Sequence, residues 1–473
     1  MDLCIDSVAA APSAGQRQAA AKNARTAVEW DWPAFCCAVV LAAIFLANPF
    51  NAIGFDDDWS YSRVALKLVE TGTIQYNGWG SPLQLFQTLR AAPWIRILGY
   101  SYPVLQAATI PFSLGFVLLI YATGRRMGLA REAAAFCAIG TGTSPLFLPF
   151  AATFMTEAYG CFFSMACVYC ALRALQAADE IVANRWLWAV CIAGLIGGAN
   201  RRIVWAAPLA LIPCVAWERR FERRVAINAA TSICFLGAAI ALVLHWFSPP
   251  YAGLEIGRDP VAWLLEHKTG QAILFIVQML LLCVMLAIPA VVASLPRIQR
   301  RHLARLAVSL PVMALLTLLG LAAGWPAAPY GNNMITASGI SVGNQDAGGA
   351  AVIVPPTWQL AIMTGIVNLC AIRTVWLAVR NARRPNRSWL LIFAAFSISY
   401  LLLIFPGALL KISFDRYMLP LLPLLFLAIV KLAHPLQPRM KTAWSASCSS
   451  ADMAWRRLTI TPRGCAPEYR WPA

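Results

Sequence analysis

Asp56, Asp57 and Asp58 stand together a few residues after the first long apolar run and lead directly into Trp59-Ser60-Tyr61. Three consecutive carboxylates at the edge of a bilayer are costly, because like charges repel and adjoining hydrocarbon disfavours ionisation. A lone Asp there is ordinary loop solvation. Three in a row, ahead of an amphipathic helix, point instead to a general base, a carboxylate that takes a proton from an acceptor hydroxyl at the membrane face. A second acid, Glu157 in Phe154-Met155-Thr156-Glu157, falls between the third and fourth apolar runs. A very short turn is expected there, which would pin Glu157 at the depth of Asp57. Arg201 and Arg202 separate the fifth and sixth runs, and Arg416-Tyr417 precede the last. Any one of these arginines could be a snorkelling interfacial residue. Converging on one face with the acids, they favour chemistry on a phosphate-linked substrate, since arginine binds phosphate oxygens bidentately. His245, His267, His302 and His434 are scattered without metal-ligand spacing and read as structural or interfacial.

The elements that must hold these residues are membrane helices. The chain has 473 residues, 60% hydrophobic and 12% charged, with a mean hydropathy of +0.64. A soluble domain carries roughly twice that charge fraction. Many segments approach or exceed the ~18 apolar residues that cross a bilayer. The expectation is an all-α, polytopic integral membrane protein of about 12 transmembrane helices. The spans are placed near 33–50, 103–123, 133–153, 158–175, 186–199, 203–217, 225–247, 270–294, 306–324, 358–379, 389–409 and 417–433, with the fifth and sixth short. A tail over 1–32 precedes them, the transmembrane domain occupies 33–434, and a tail without periodicity runs over 435–473. The N-terminal segment lacks a small-x-small cleavage site, so the first helix is read as a retained signal anchor.

The net charge of +17 does not signal nucleic acid, because the basic residues lie in short clusters between apolar runs. Arg125, Arg126 and Arg131, then Arg219, Arg220, Arg223 and Arg224, then Arg297, Arg300, Arg301 and Arg305, then Arg380, Arg383, Arg384 and Arg387 all fall on the side of the N-terminus. The positive-inside rule makes that side, and both termini, cytoplasmic. Most of the fourteen cysteines lie inside apolar runs as small hydrophobes, and no polar loop carries a C-x-x-C pair to suggest a disulfide framework or zinc site. The first outer loop, 51–102, reads as helices lying along the membrane. Tyr61, Val64, Ala65 and Leu68 form one apolar stripe, Leu85, Phe86 and Leu89 begin another, and Trp79, Trp94, Tyr100 and Tyr102 suit the interface. A later outer loop, 325–356, is rich in Gly, Pro and Asn, with Asp346 as its one charge.

These motifs resemble the GT-C superfamily of membrane glycosyltransferases, in particular family-39-like enzymes such as protein O-mannosyltransferases, lipid A aminoarabinose transferases and their bacterial relatives. Asp57-Asp58-Trp59-Ser60-Tyr61 matches that family's acid pair after the first helix, D-[DE]-x-x-Y, and Thr156-Glu157 matches its second acid. Gly197-Gly198-Ala199-Asn200-Arg201 matches a Gly-rich helix end running into a basic residue, and Arg416-Tyr417-Met418-Leu419-Pro420 matches a late R-Y-x-x-P element. The resemblance is strongest over 50–220 and returns at 411–423. Glu157 stands where relatives often carry Asp, and the large C-terminal outer domain of some members is not expected here.

The resemblance implies a GT-C-like fold and an inverting transfer of a hexosyl or pentosyl group at the outer face of the bacterial inner membrane. The donor would be a sugar on a polyprenyl phosphate and the acceptor a hydroxyl of a glycan, lipid or protein, as in lipopolysaccharide or other cell-envelope modification. Carried over by position, Asp57 would be the base. Asp58 and Glu157 would order the acceptor, the base or a divalent cation, the only cofactor implied. Arg201 and Arg416 would stabilise the departing phosphate, and Tyr61 and Tyr417 would position their neighbours. Two other classes share the topology. A transporter or lipid flippase would place its polar groups near the midplane, and a polysaccharide polymerase or ligase would carry a late outer loop rich in His or Arg.

Overall fold

The computed structural model describes residues 31–47, 54, 57–79, 83–247, 269–293, 311, 315, 335–336, 339–340, 357–381, 388–409 and 415–433. Asp56, most of the expected span at 306–324, most of the 325–356 loop, most of the 1–32 tail and the tail after 435 lie outside the described residues.

The described chain is built from helices: α1 (Trp32–Ala47), α2 (Asp58–Thr71), α3 (Leu85–Leu98), α4 (Tyr102–Arg126), α5 (Arg131–Gly142), α6 (Thr156–Leu175), α7 (Glu180–Asn200), α8 (Ala206–Glu218), α9 (Arg223–Phe247), α10 (Thr269–Leu286), α11 (Ile288–Ala293), α12 (Thr357–Asn381), α13 (Ser388–Leu409) and α14 (Leu422–Ala433). Short 3-10 turns at Leu148–Phe150, Arg202–Trp205 and Asp415–Met418 interrupt them. Among the described residues the exception to an all-helical chain is a hairpin of two-residue strands, β1 (Ile335–Thr336) and β2 (Gly339–Ile340). Five helices, α4, α6, α7, α9 and α13, are long and apolar enough to cross a bilayer. The twelve expected spans are therefore not all reproduced as uninterrupted helices among the described residues.

The third expected span, 133–153, is the largest correction. Helix α5 stops at Gly142, and a folded segment runs from Thr143 to Met155 before α6 begins. Pro145 and Pro149 supply the reason, since proline removes a backbone donor and drives its predecessor out of the helical region. Ser144 closes the turn instead, its hydroxyl accepting from the Phe147 amide at 3.2 Å. Leu146, Phe147, Phe150, Phe154 and Met155 are all buried, so the segment is part of the core. Glu157 accordingly sits in the first turn of α6 rather than in a very short connecting turn. The fifth span, expected short at 186–199, is a full helix of 21 residues whose start is capped by the Asp179 carboxylate accepting from the Val182 amide at 2.8 Å. The sixth opens with the Arg202–Trp205 turn. The eighth breaks at Ala287, ahead of Pro289.

Both helices of the first outer loop are present and pack on one another. Along α2, Tyr61, Val64 and Ala65 are buried and Leu68 is half-buried, as their spacing predicts. The expected stripe on α3 is rotated: Leu89 is 57% exposed, while Gln87 and Thr88 are fully buried beside Leu85, Ala91 and Ile95. Asn200, at the end of α7, imposes this. Its side-chain carbonyl accepts from the Gln87 amide at 2.9 Å, its amide nitrogen donates to Gln87 Oε1 at 3.3 Å, and its backbone carbonyl accepts from the Gln84 amide at 3.0 Å. Buried amides must find partners, and this pairing outweighs the apolar stripe.

The bundle sorts its helix ends into two faces. Helix α6 runs roughly 30 Å along its axis, from Thr156 at one face to Leu175 at the other. Arg126 and Gln176 meet at the second face, where Gln176 Nε2 donates to the Arg126 carbonyl at 3.0 Å. Arg219 joins them there by donating to the carbonyls of Ala174 and Ala177. The first face gathers the start of α2, the start of α6, the end of α7 and the turn before α14.

Candidate functional site

The first face brings Asp57, Glu157, Arg201 and Arg416 together. Asp57 immediately precedes α2, and its backbone carbonyl accepts from the amides of Ser60 and Tyr61 at 2.9 and 3.2 Å. Its carboxylate makes no capping bond. Instead Oδ1 accepts from the Trp79 indole at 2.9 Å. The other oxygen, Oδ2, faces Arg416 Nη2 at 3.4 Å. With its side chain 22% exposed, Asp57 is the accessible acid of the group. Asp58, one residue on, points the other way and is fully buried. Its Oδ2 accepts from the Phe154 amide at 3.1 Å, which ties the start of α2 to the segment before α6.

Glu157 lies in the first turn of α6, where the helix N-terminus favours a carboxylate. Its Oε1 is 2.7 Å from Arg201 Nη1 and 3.4 Å from Arg416 Nε, so one oxygen serves two guanidinium groups. Arg201 also donates from Nη1 to Thr156 Oγ1 at 2.7 Å, and its guanidinium lies 4.9 Å from the centroid of the Tyr417 ring. Its stem rests against Gly160, where an added Cβ would come within 2.9 Å of Arg201 Cδ. Burial alone would make the guanidinium easier to deprotonate; the negative charge of Glu157 outweighs it and raises the Arg201 pKa. Arg416 enters from the Asp415–Met418 turn and is buried. Arg202 is half-buried at the start of its own turn.

The expected supporting tyrosines are here as well. Tyr61 is 4% exposed, and burial, followed by the charges of Asp57 and Glu157, pushes its phenol well above the usual range. It stays neutral at any working pH. Tyr417 offers its ring to Arg201, while its backbone carbonyl accepts from the Tyr400 hydroxyl at 2.8 Å. A narrow crevice, too tight as it stands for a water molecule, lies beside the network, lined by Glu157, Arg201 and Arg416 and, on its apolar side, by Val204, Tyr400 and Leu419.

Two participants were not among the site residues read from the sequence. Trp79 looked like an interfacial aromatic, yet its indole N–H holds Asp57. Tyr400 sits in the middle of an apolar run, and nothing in the residue order links it to Tyr417. Among the described residues no group of three His, Cys, Asp or Glu side chains could hold a metal ion. Asp57 and Glu157 face guanidinium groups.

No protein-family model and no curated protein matches the chain. Among solved structures it is similar to ArnT from Cupriavidus metallidurans bound to undecaprenyl phosphate, with a TM-score of 0.38 and 14% identity over 85% of this chain and 77% of that one. The apo state of the same protein gives a TM-score of 0.35 and 14% identity over 85% and 76%. Overlaps this low leave the chemistry to be judged from the site's own geometry.

Proposed function

We propose that the chain is a GT-C-type membrane glycosyltransferase that moves a sugar from a polyprenyl-phosphate donor to an acceptor hydroxyl. The observation that carries this reading is the meeting of Asp57, Glu157, Arg201 and Arg416, drawn from four distant stretches of sequence, at one end of an apolar helix bundle. The motif resemblance to family-39-like enzymes, made through these same residues, supports it.

In this reading the acceptor oxygen attacks the anomeric carbon as the bond from that carbon to the phosphate oxygen breaks. Attack from the face opposite the leaving group inverts the centre. The proton lost by the acceptor passes to Asp57, the one site acid with an open flank. The electron pair of the broken bond stays on the phosphate, whose growing charge is met by Arg201 and Arg416. Asp58 positions Asp57 through its bond to the Phe154 amide, and Trp79 orients the base through Oδ1. Tyr61 and Tyr417 hold the base and Arg201 in place. The arginine-rich face would lie on the cytoplasmic side, placing transfer at the outer face of a bacterial inner membrane.

A carrier would move the intact donor across the bilayer; a transferase cleaves it. Purified protein in proteoliposomes containing a polyprenyl-phosphate-linked sugar and an acceptor should release free polyprenyl phosphate and glycosylated acceptor. Movement of intact donor between leaflets, with no cleavage, would establish the carrier instead.

A further inference from the structure

The arginines assigned to the donor phosphate are already occupied by an anion of the protein itself. Glu157 Oε1 lies 2.7 Å from Arg201 Nη1 and 3.4 Å from Arg416 Nε, and the Glu157 side chain is 2% exposed. A phosphate bridges two guanidinium groups through its oxygens in the same manner as this carboxylate. The crevice bounded by these same three residues is too tight as it stands for a water molecule, so an anion reaches both arginines there only by displacing Glu157. The two ion pairs are unequal. Arg201 is held by Glu157 and by Thr156 Oγ1, both at 2.7 Å, whereas Arg416 meets Glu157 and Asp57 at 3.4 Å each. Of the two, Arg416 stands farther from Glu157.

We propose that Glu157 is an internal counter-anion: it occupies the phosphate-binding arginines of the empty site, yields Arg416 to an incoming phosphate, and reclaims it as the phosphate leaves. Glu157 is then a positioning residue whose charge weakens ground-state phosphate binding and speeds departure of the lipid phosphate product. This rests on the phosphate-linked donor reading above. It differs from the acceptor-ordering role that resemblance assigns to Glu157, and it predicts an effect of opposite sign.

The test titrates wild type and Glu157→Gln separately with inorganic phosphate and with a polyprenyl phosphate in detergent micelles. Glutamine keeps the shape and a carbonyl acceptor for Arg201 but removes the competing charge. Both ligands should bind Glu157→Gln about tenfold more tightly, the scale of one charge-assisted hydrogen bond no longer displaced, while turnover falls. Glu157→Asp, which keeps the charge but retracts it from Arg416, should tighten binding by a smaller factor, and it carries the test if the glutamine variant does not fold. Tightening for inorganic phosphate, with polyprenyl phosphate binding neither protein, would uphold the counter-anion and remove the lipid-linked donor. Unchanged or weaker phosphate binding by Glu157→Gln and Glu157→Asp would overturn the proposal.

Discussion

At the basic end of the bundle Arg219 reaches the last carbonyls around α6, Ala174 at 2.8 Å and Ala177 at 2.9 Å, and pairs with Glu222 only three residues away. At the opposite end Arg201 bonds Thr156, 45 residues back, and Arg416 meets Asp57, 359 residues back. The first arrangement caps a helix whose C-terminal carbonyls attract a cation, and Glu222 keeps 31% of its side chain exposed. The second buries Glu157 to 2% exposure between two cations contributed by separate elements. Desolvating such charges offsets most of their attraction, so a buried network is weak evidence for stability. The same residue type finishes a helix at one end and assembles a charged pocket, with a crevice beside it, at the other.

The largest effect that would sharpen this contrast is on chemistry. Asp57→Asn keeps the bond from Trp79 but cannot take a proton, and sugar transfer should fall by about a thousandfold, within the range general bases supply. Expression and thermal midpoint in detergent should hold near wild type. Retained transfer would remove Asp57 from the mechanism.

Next comes the cost of leaving buried cations without a counter-charge. Glu157→Ala should lower stability by about 3 kcal/mol, read as a depressed melting midpoint. Arg219→Ala, which leaves a Glu222 carboxylate that is 31% exposed rather than two buried cations, should cost only about 1 kcal/mol. Equal losses from the two variants would erase the distinction between the two ends. The smallest effect is expected at Trp79. Trp79→Phe keeps an aromatic ring beside Trp59, whose centroid lies 5.8 Å away, but removes the donor to Asp57. Transfer should slow by roughly three- to tenfold, the worth of one hydrogen bond, with donor binding unchanged. An unaltered rate would show that Asp57 needs no orienting partner.

Much of this arrangement was legible in the residue order. The acid pair before Tyr61, the Thr156-Glu157 step and the arginines at 201 and 416 each interrupt an apolar run, and an interrupted run marks a helix end. Helix ends on one side of an apolar bundle share a face, which is where the structure gathers these residues, although the third expected span is not one continuous helix. What escaped depends on partners remote in sequence. The α3 stripe of Leu85, Phe86 and Leu89 is a sound periodic signal, yet the clamp between Gln87 and Asn200 turned the helix, and no local pattern shows an amide 113 residues away. The break after Gly142 was visible as Pro145 and Pro149, but apolar composition through Phe154 masked it, because a buried irregular segment is as hydrophobic as a span. Nor does hydropathy separate Asp57 from Asp58: adjacent residues point in different directions, one toward Arg416 and the other toward a backbone amide.

The most direct test is an experimental structure of the protein with a polyprenyl phosphate bound. The account predicts the phosphate beside Arg201 and Arg416, with the Asp57 carboxylate on its open flank and the prenyl chain leaving toward the lipid. A phosphate held elsewhere, at the Arg219 end or along the bundle midplane, with the pocket of Asp57, Glu157, Arg201 and Arg416 unchanged, would contradict it.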